Sequence, residues 1–399
     1  MPFVSRATQA FVLFTLGLLA LSPLMNAAEN PKARILRHLS IYEKRDAYCA
    51  WPAIARTESG DIVVLFTRTE EHMAPNGEIL LSRSTDNGET WMPPAIVYDT
   101  ILDDRESGVT SLSDGRLLAH FRSVRFTRST YEGMSSTSYE KAFIDRWIGY
   151  VEKPEYAEAT HLHRAWHAIS EDNGFTWSET TPGHDTIHGG IHLRNGSFLV
   201  ASYREDGGNI GVYGCGEALG EWESISQIVC PIPDRVRFGE PHIIQLDSGR
   251  IIMMIRATAT PYDDQSPDCQ LWGTYSDDHG KTWAAPYQTP LWGFPPHLLQ
   301  LSDGRVLCSY GYRRAPFGQR VCISEDGIDW KSEDEIVIRD DAIDGDLGYP
   351  VSIELELGKI LTVYYQPNLA PGISQSSHPP PPNRKKPGIL GTIWMLPEE

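Results

Sequence analysis

The stretch Ser84-Thr-Asp-Asn-Gly-Glu-Thr-Trp91 recurs in closely similar form from Ser170 to Trp177 and from Ser276 to Trp283. A shorter copy runs from Ser324 to Trp330. In each copy the Ser and Asp oxygens can accept hydrogen bonds from loop amides, and the Gly can adopt a positive φ. The Trp is suited to cover an apolar edge. The pattern therefore predicts a hairpin turn, and its repetition predicts a fold made of repeated β units.

A second pattern gives the number of units. Glycines that are each followed by an apolar strand recur at intervals of 55, 81, 53, 55 and 54 residues, namely Gly60, Gly115, Gly196, Gly249, Gly304 and Gly358. Each unit reads as strand, turn, strand, strand, Ser/Asp turn and strand. Six such units predict an all-β fold, a six-bladed β-propeller with four-stranded antiparallel blades. We expect residues 35–41 to close the ring as the outer strand of the last blade, beside residues 389–394.

Residues 1–28 have the pattern of a secretory signal peptide. Arg6 precedes an apolar run from Ala10 to Leu21, and the small residues Ala27 and Ala28 follow. The run is too short to cross a bilayer comfortably, although an uncleaved or lipid anchor is the alternative. We expect a secreted or periplasmic protein with no membrane span after signal removal. Residues 29–399 are expected to form one propeller domain.

The net charge and the cysteines limit the partners and cofactors that we expect for this chain. The net charge of −18 argues against nucleic acids or anionic membranes as partners, because both attract basic surfaces. Among the six cysteines, Cys215 with Cys230 and Cys308 with Cys322 could form disulfides across hairpins. Six buried thiols are the alternative. No Cys/His spacing indicates a zinc site, so we predict neither a metal nor an organic cofactor.

The repeat also predicts where a binding site lies. Nine residues before each turn glycine, the inner strands begin at Trp51, Glu106, Ile187, Glu240, Pro295 and Tyr349. The second strands end at Arg68, Arg122, Arg204, Arg256, Arg313 and Tyr365. These positions should meet at one rim of the channel, opposite the Ser/Asp turns. Five Arg at equivalent positions predict a pocket for an anionic ligand, unless each Arg pairs with an acid of a neighbouring blade.

These features resemble the sialidase (neuraminidase) superfamily, and the resemblance spans essentially all of the chain after residue 28. The segment from Gly239 to Arg256 follows the family pattern of a Glu, a strand, a turn glycine and an Arg. Gly348-Tyr349-Pro350 resembles the segment that carries the nucleophilic Tyr. The resemblance implies that Tyr349 is the nucleophile, Glu240 the base that activates it, and Arg256 a carboxylate-binding residue. The alternative is that Tyr349 is a rim aromatic and Glu240 pairs with Arg256.

The chain also departs from that family. Ala50-Trp51-Pro52 stands where sialidases have Arg-Ile-Pro, so one substrate-binding Arg is missing and Arg105 is a candidate replacement. A third Arg could be Arg313, Arg314 or Arg320. The loop after Arg68 lacks the family's acid/base Asp. The candidates for this role are Glu70 and Glu71, with Asp103, Asp104, Glu106 and His188 as rivals.

Between Arg122 and Ser170 the chain carries an insertion at about residues 123–165, rich in aromatic residues and Arg. It leaves from the predicted rim, so we expect it to form a wall or lid over the pocket, or else a plain surface loop. The whole pattern predicts a secreted, exo-acting glycoside hydrolase for a terminal anionic sugar: sialic acid, or a uronic or sulfated residue. A polysaccharide lyase acting on uronates and a non-catalytic carbohydrate-binding propeller are the alternatives.

Overall fold

The computed structural model of this protein describes residues 33–134, 139–203, 205–216, 219–367 and 386–397. Within these ranges, β-strands form six four-stranded antiparallel sheets, each the blade of a propeller. The predicted all-β, six-bladed fold is therefore confirmed. The predicted signal peptide at residues 1–28 and Arg204 lie outside the described residues.

The blades follow one another along the chain. The first blade contains β2 (Tyr48–Arg56), β3 (Ile62–Thr69), β4 (Glu78–Ser84) and β5 (Ala95–Asp99). The second contains β6 (Asp103–Ser111), β7 (Leu117–Val124), β8 (Arg164–Ser170) and β9 (Thr181–Pro182). The third contains β10 (Ile191–His192), β11 (Phe198–Ser202), β12 (Ile210–Cys215) and β13 (Glu223–Ile228).

The fourth blade contains β14 (Val236–Gln245), β15 (Ile251–Ala259), β16 (Gln270–Ser276) and β17 (Tyr287–Trp292). The fifth contains β18 (Phe294–Gln300), β19 (Val306–Tyr312), β20 (Gly318–Ser324) and β21 (Glu335–Arg339). The sixth contains β22 (Gly348–Glu356), β23 (Lys359–Gln366) and β24 (Gly388–Met395), and β1 (Arg34–Tyr42) is its outer strand. Because β1 pairs antiparallel with β24, opposite ends of the sequence share one blade and the predicted ring closure is confirmed.

The Ser/Asp turns join the third and fourth strands of their blades, as predicted. In the first of them, Asp86 accepts from the Thr90 amide at 2.8 Å, and Ser84 accepts from the Gly88 amide at 2.8 Å. Ser84 pairs with Ile62 at one end of β3, whereas Arg68 lies at the other end. The turns and the second-strand ends therefore lie on opposite faces of the ring.

The described part of the insertion contains three short α-helices, α1 (Arg128–Glu132), α2 (Lys141–Val151) and α3 (Pro154–Glu158). Its large aromatic residues Tyr131, Trp147 and Tyr156 are almost fully buried and pack in a separate small core. These three side chains are therefore not available as a sugar-binding wall, in contrast to the expectation from sequence. The insertion instead packs on the loop that follows β3.

All six cysteines are free and buried, which corresponds to the alternative of six thiols. Cys308 and Cys322 face each other across β19 and β20 without a disulfide. Among the helices of the described ranges, none has the length and apolar character needed to cross a bilayer.

Candidate active site

A repeated β-bulge brings the inner-strand residues of different blades together. Trp51, Glu106, Glu240 and Tyr349 all have positive φ angles, between 43° and 57°, where the strand pairing shifts register. A positive φ is costly for residues other than glycine, so the surrounding structure must hold these four in place. Bulges redirect side chains. Here they bring four non-glycine residues of four blades to one site.

Tyr349 is hydrogen-bonded to the carboxylate that the resemblance assigns as its base. Its hydroxyl donates to Glu240 Oε1 at 2.6 Å, and the other oxygen of Glu240 forms an ion pair with Arg256. Burial, followed by the Glu240 charge, raises the pKa of Tyr349 well above its ordinary value. The phenol is therefore neutral at rest, and it can become a nucleophile only if its proton moves to Glu240 as it attacks.

Two guanidinium groups lie beside this pair. Arg256 and Arg313 stack on Phe294, with 4.7 and 5.6 Å between each guanidinium carbon and the ring centroid. Arg313 donates to the Leu347 carbonyl at 3.0 Å. The Nε of Arg256 is buried without a hydrogen-bond partner, and the space next to Gly239, its neighbour across the strand pair, is open. A buried donor without an acceptor is costly, so this position favours an acidic ligand.

A second group of polar side chains lies on the other side of Trp51. The Tyr48 hydroxyl donates to Asp346 Oδ1 at 2.7 Å and lies 2.8 Å from His72 Nδ1. The His72 ring stands edge-on to Trp51 with 5.2 Å between centroids, and Trp51 is 6.4 Å from Tyr349. Tyr365 joins this group through a 3.3 Å hydrogen bond to Asp346. The sequence pattern did not predict a role for His72, Tyr48 or Asp346.

Glu106 and Arg105 reach the same site from the second blade. The Tyr203 hydroxyl donates to Glu106 Oε2 at 2.5 Å, and the Glu106 charge acts on Tyr349. Arg105 lies over the Trp51 ring, 4.7 Å from its centroid, so it does reach the first blade as the sequence suggested. Its guanidinium is, however, buried in an ion pair with Asp103 and donates to the His72 carbonyl at 2.6 Å. These bonds leave Arg105 poorly placed to replace the missing Arg.

The other predicted Arg residues have acidic partners of their own. Arg68 pairs with Glu78 at 2.6 Å, Arg122 pairs with Asp185 at 2.5 Å, and buried Arg320 lies 3.5 Å from Glu335. These three Arg are therefore paired with acids, but Glu78 and Glu335 lie in the same blade as their Arg, and only Asp185 lies in a loop between two blades. Of the predicted substrate-binding Arg that the structure describes, only Arg256 and Arg313 adjoin Tyr349 without a full set of protein partners.

Glu70 and Glu71, the predicted candidates for the general acid, hold structural elements together. Glu70 forms an ion pair with Arg146 and accepts from the Trp147 indole at 3.0 Å, both on α2. Burial acts to raise the pKa of Glu70, but these hydrogen bonds hold it below its ordinary value. Glu71 pairs with Lys386 at 2.8 Å. A general acid needs free access to the substrate, and both carboxylates are instead held in ion pairs, so this geometry does not suit either residue.

The remaining candidates for the acid are enclosed. Burial raises the pKa of Asp103 to about 6 and that of Asp104 to about 7, and both side chains are fully buried. His188 packs with His242 and His297, with 4.3 to 5.3 Å between ring centroids. Burial lowers the pKa of all three imidazoles, that of His297 to about 3. They are neutral packing partners.

The family comparison agrees with this architecture. Residues 149–361 match the BNR repeat-like domain. Because that span is more than half of the sequence, this chain belongs to the BNR repeat-like family. The repeats and the six blades place it in the sialidase-like propeller superfamily. A search among curated proteins gave no match by sequence.

Solved structures show the same fold. A protein of unknown function from Dyadobacter fermentans is 22% identical, with a TM-score of 0.70 over 92% of this chain and 100% of that one. The NanB sialidase from Streptococcus pneumoniae is 14% identical, with a TM-score of 0.60 over 92% and 71%. An α-L-arabinanase from Penicillium chrysogenum, complexed with arabinobiose, is 13% identical, with a TM-score of 0.58 over 92% and 99%. At these identities the likeness establishes the propeller fold.

Proposed function

We propose that this protein is an exo-acting glycoside hydrolase that removes a terminal anionic sugar. The observation that carries the proposal is the chain of contacts from Tyr349 through Glu240 to Arg256, at the rim where four bulged strands meet. Tyr349 is the nucleophile in this proposal, Glu240 takes its proton, and the two guanidiniums bind the acidic group of the sugar. Sialic acid is the first candidate, and uronic or sulfated sugars are the others.

The nucleophile suits an anionic substrate. A neutral phenol is not repelled by a carboxylate or sulfate on the sugar, whereas a carboxylate nucleophile would be. Sialidases are the glycosidases for which a Tyr nucleophile is known. Glu240 lies within hydrogen-bond reach of the hydroxyl, which is the geometry that a base requires. The fold that this chain shares with a sialidase and an arabinanase supports a carbohydrate substrate.

The pair Arg256 and Arg313 accounts for the proposed anion specificity. Glu240 forms an ion pair with Arg256, and the buried Nε donor of Arg256 has no hydrogen-bond partner among the described residues. An acidic sugar would supply the missing acceptor oxygens and balance the charge. We also propose that the protein acts outside the cytoplasm, after removal of residues 1–28.

The test is an analysis of products with a panel of sialylated, uronic and sulfated glycans. We expect the wild type to release a free acidic sugar and Glu240→Gln to release almost none. An unsaturated product that absorbs ultraviolet light would instead identify a lyase. Saturable binding without any product would identify a carbohydrate-binding protein. Release of neutral sugars alone would contradict the proposed role of Arg256 and Arg313.

A further inference from the structure

We propose that His72 is the proton donor to the leaving group in this reaction and that Asp346 is the residue that positions it. This inference rests on the proposed hydrolase function. It assigns the acid/base role to a loop residue that no sequence pattern singled out. In this proposal, the contacts among Tyr48, His72 and Asp346 orient the His72 ring for proton transfer.

The hydrogen bonds fix which nitrogen of His72 can exchange a proton. The single hydrogen of the Tyr48 hydroxyl is donated to Asp346, at 2.7 Å. The phenol oxygen can then only accept from His72 Nδ1, 2.8 Å away, so Nδ1 carries a hydrogen. Asp346 Oδ1 also lies 3.4 Å from the same nitrogen. Nε2 is therefore the nitrogen left to give up a proton or take one back.

The main chain on both sides of His72 is held from three directions. Its own carbonyl accepts from Arg105 at 2.6 Å, and the Met73 carbonyl accepts from Tyr131 of the insertion at 3.0 Å. Lys386 donates to the Glu70 carbonyl at 2.6 Å. A catalytic group needs this support, since a small displacement of a reacting group is costly. The insertion thus contributes to the site indirectly, through the loop.

His72 is also more exposed than Asp346, with side-chain exposures of 38% and 22%. By contrast, Tyr48, Trp51 and Tyr349 are each exposed by 4% or less. Both His72 and Tyr349 lie next to the Trp51 ring, with 5.2 and 6.4 Å between ring centroids, and the proposal places the leaving group of the sugar on the His72 side of that ring. The charged and titratable groups that face His72 are Asp346, Tyr48, Asp103 and Arg105.

Every proton and bonding electron pair in the proposed reaction has a donor and an acceptor. When Tyr349 bonds to the anomeric carbon, Glu240 takes the phenol proton and the glycosidic C–O bond breaks. The bond's electron pair goes to the leaving oxygen, which takes the proton from Nε2 of charged His72. Water then attacks the same carbon, neutral His72 takes a proton from that water, and Glu240 returns its proton to the departing Tyr349 oxygen. The cycle ends with each group in its starting state.

The test compares two substrates with the same acidic sugar, one with its natural alcohol and one with 4-nitrophenol as leaving group. For His72→Gln we expect the turnover number for the natural glycoside to fall by about 10²-fold or more. Turnover of the nitrophenyl glycoside should fall less than about tenfold, because nitrophenolate leaves without protonation. His38→Gln, on exposed outer-strand residue His38, is the matched control and should leave both rates unchanged.

A second variant tests the positioning role. Asp346→Asn removes the negative charge 3.4 Å from Nδ1, so turnover of the natural glycoside should fall more than turnover of the nitrophenyl glycoside, while the fold melts as a single transition. Equal losses on the two glycosides, or no loss on either, would overturn the role of Asp346. Equal losses on both glycosides for His72→Gln, or no loss on either, would overturn the role of His72 and leave the proposed hydrolase intact. Absence of any hydrolysis by the wild type would overturn both proposals.

Discussion

The two faces of this propeller are both built from repeats, but the repeats differ in how well their polar groups are satisfied. On one face, each Ser/Asp turn closes on itself: Asp86 and Asp278 accept from the Thr amide four residues later, at 2.8 Å. Hydrogen bonds from Thr side chains lower the pKa of both carboxyls to about 2. On the other face, four bulged residues have strained φ angles, and Arg256 has a buried donor without a partner.

This difference in hydrogen bonding distinguishes the turn face, whose residues stabilise the fold, from the rim, whose residues form the candidate active site. A turn whose Ser and Asp oxygens are paired within the turn gains little from a ligand, so its residues serve folding. A strained rim with an unpaired Arg256 donor is stable only because the six blades around it are stable. Ligand binding would remove part of the cost at that rim. We therefore expect substitutions on the turn face to change stability, and substitutions on the rim to change chemistry.

The largest expected effect on stability is that of Gly280→Val in the third Ser/Asp turn. Gly280 has a φ of 83°, and an added Cβ would lie 2.9 Å from Leu199 Cδ1. A β-branched side chain is strained at that φ and also clashes, so we expect the free energy of unfolding to fall by about 3 kcal/mol. Thermal or urea unfolding measures the loss.

Gly149→Val is the matched control, because Gly149 lies in α2 with an ordinary φ and no atom within 4 Å of the added Cβ. It should leave stability nearly unchanged. At a temperature where Gly280→Val is folded, its turnover per molecule should equal that of the wild type. A turnover defect in the folded variant would contradict the expectation that substitutions on the turn face change stability and not chemistry.

A smaller effect is expected for the pH dependence of stability. Burial raises the pKa of Asp104 at the rim to about 7, whereas an unfolded Asp titrates near 4. The folded state thus holds a proton that the unfolded state releases in this window, so stability falls as the pH rises. The contribution of Asp104 should decrease by about 2 kcal/mol between pH 5 and pH 7.

Urea unfolding at several pH values checks this prediction. Asp104→Asn should remove that part of the slope, since an amide does not titrate. Asp114→Asn, which changes a largely exposed turn residue, should leave the slope as it is in the wild type. If Asp104→Asn keeps the wild-type slope, Asp104 is charged in the folded state and the rim is less enclosed than its geometry indicates.

Expressed as a free energy, the smallest of the three expected effects is that of Arg256→Lys on substrate binding. Lys retains the charge but cannot make the two-pronged contact with an acidic group, so KM should rise about tenfold, or about 1.4 kcal/mol, with a smaller change in kcat. Arg250→Lys is the control on the turn face, where Arg250 pairs with exposed Asp277. A fall in kcat with unchanged KM for Arg256→Lys would show that Arg256 acts on Glu240 and not on the substrate.

The repeat made much of the fold and part of the site predictable. Turn glycines at nearly constant spacing determine where each inner strand begins, so Glu240 and Tyr349 could be assigned to one rim although 109 residues separate them. The spacing does not reveal which acid pairs with Arg68, Arg122 or Arg320. Those partners are Glu78 in β4, Glu335 in β21 and Asp185 in a connecting loop, and the spacing of the turn glycines does not determine where these residues lie.

The same limit explains why His72 and Asp346 were not predicted together. Both lie on loops outside the repeated strands, one after β3 and one before β22, and they meet only because the ring closes. For the buried aromatic residues of the insertion, the sequence predicted a role in the site that the structure does not support. Their composition suggested a sugar-binding wall, but aromatic residues in a segment of this length can form a core of their own.

The most direct test of the account is the turnover of Tyr349→Phe beside that of Tyr310→Phe. Tyr310 is a fully buried Tyr in β19 whose hydroxyl donates to Glu335 at 2.8 Å, so each variant loses one Tyr–Glu hydrogen bond. We expect Tyr349→Phe to lower turnover on the order of 10³-fold or more. Tyr310→Phe should keep its turnover, although it loses a similar hydrogen bond and a similar part of its stability. Near-normal turnover of Tyr349→Phe would contradict the account.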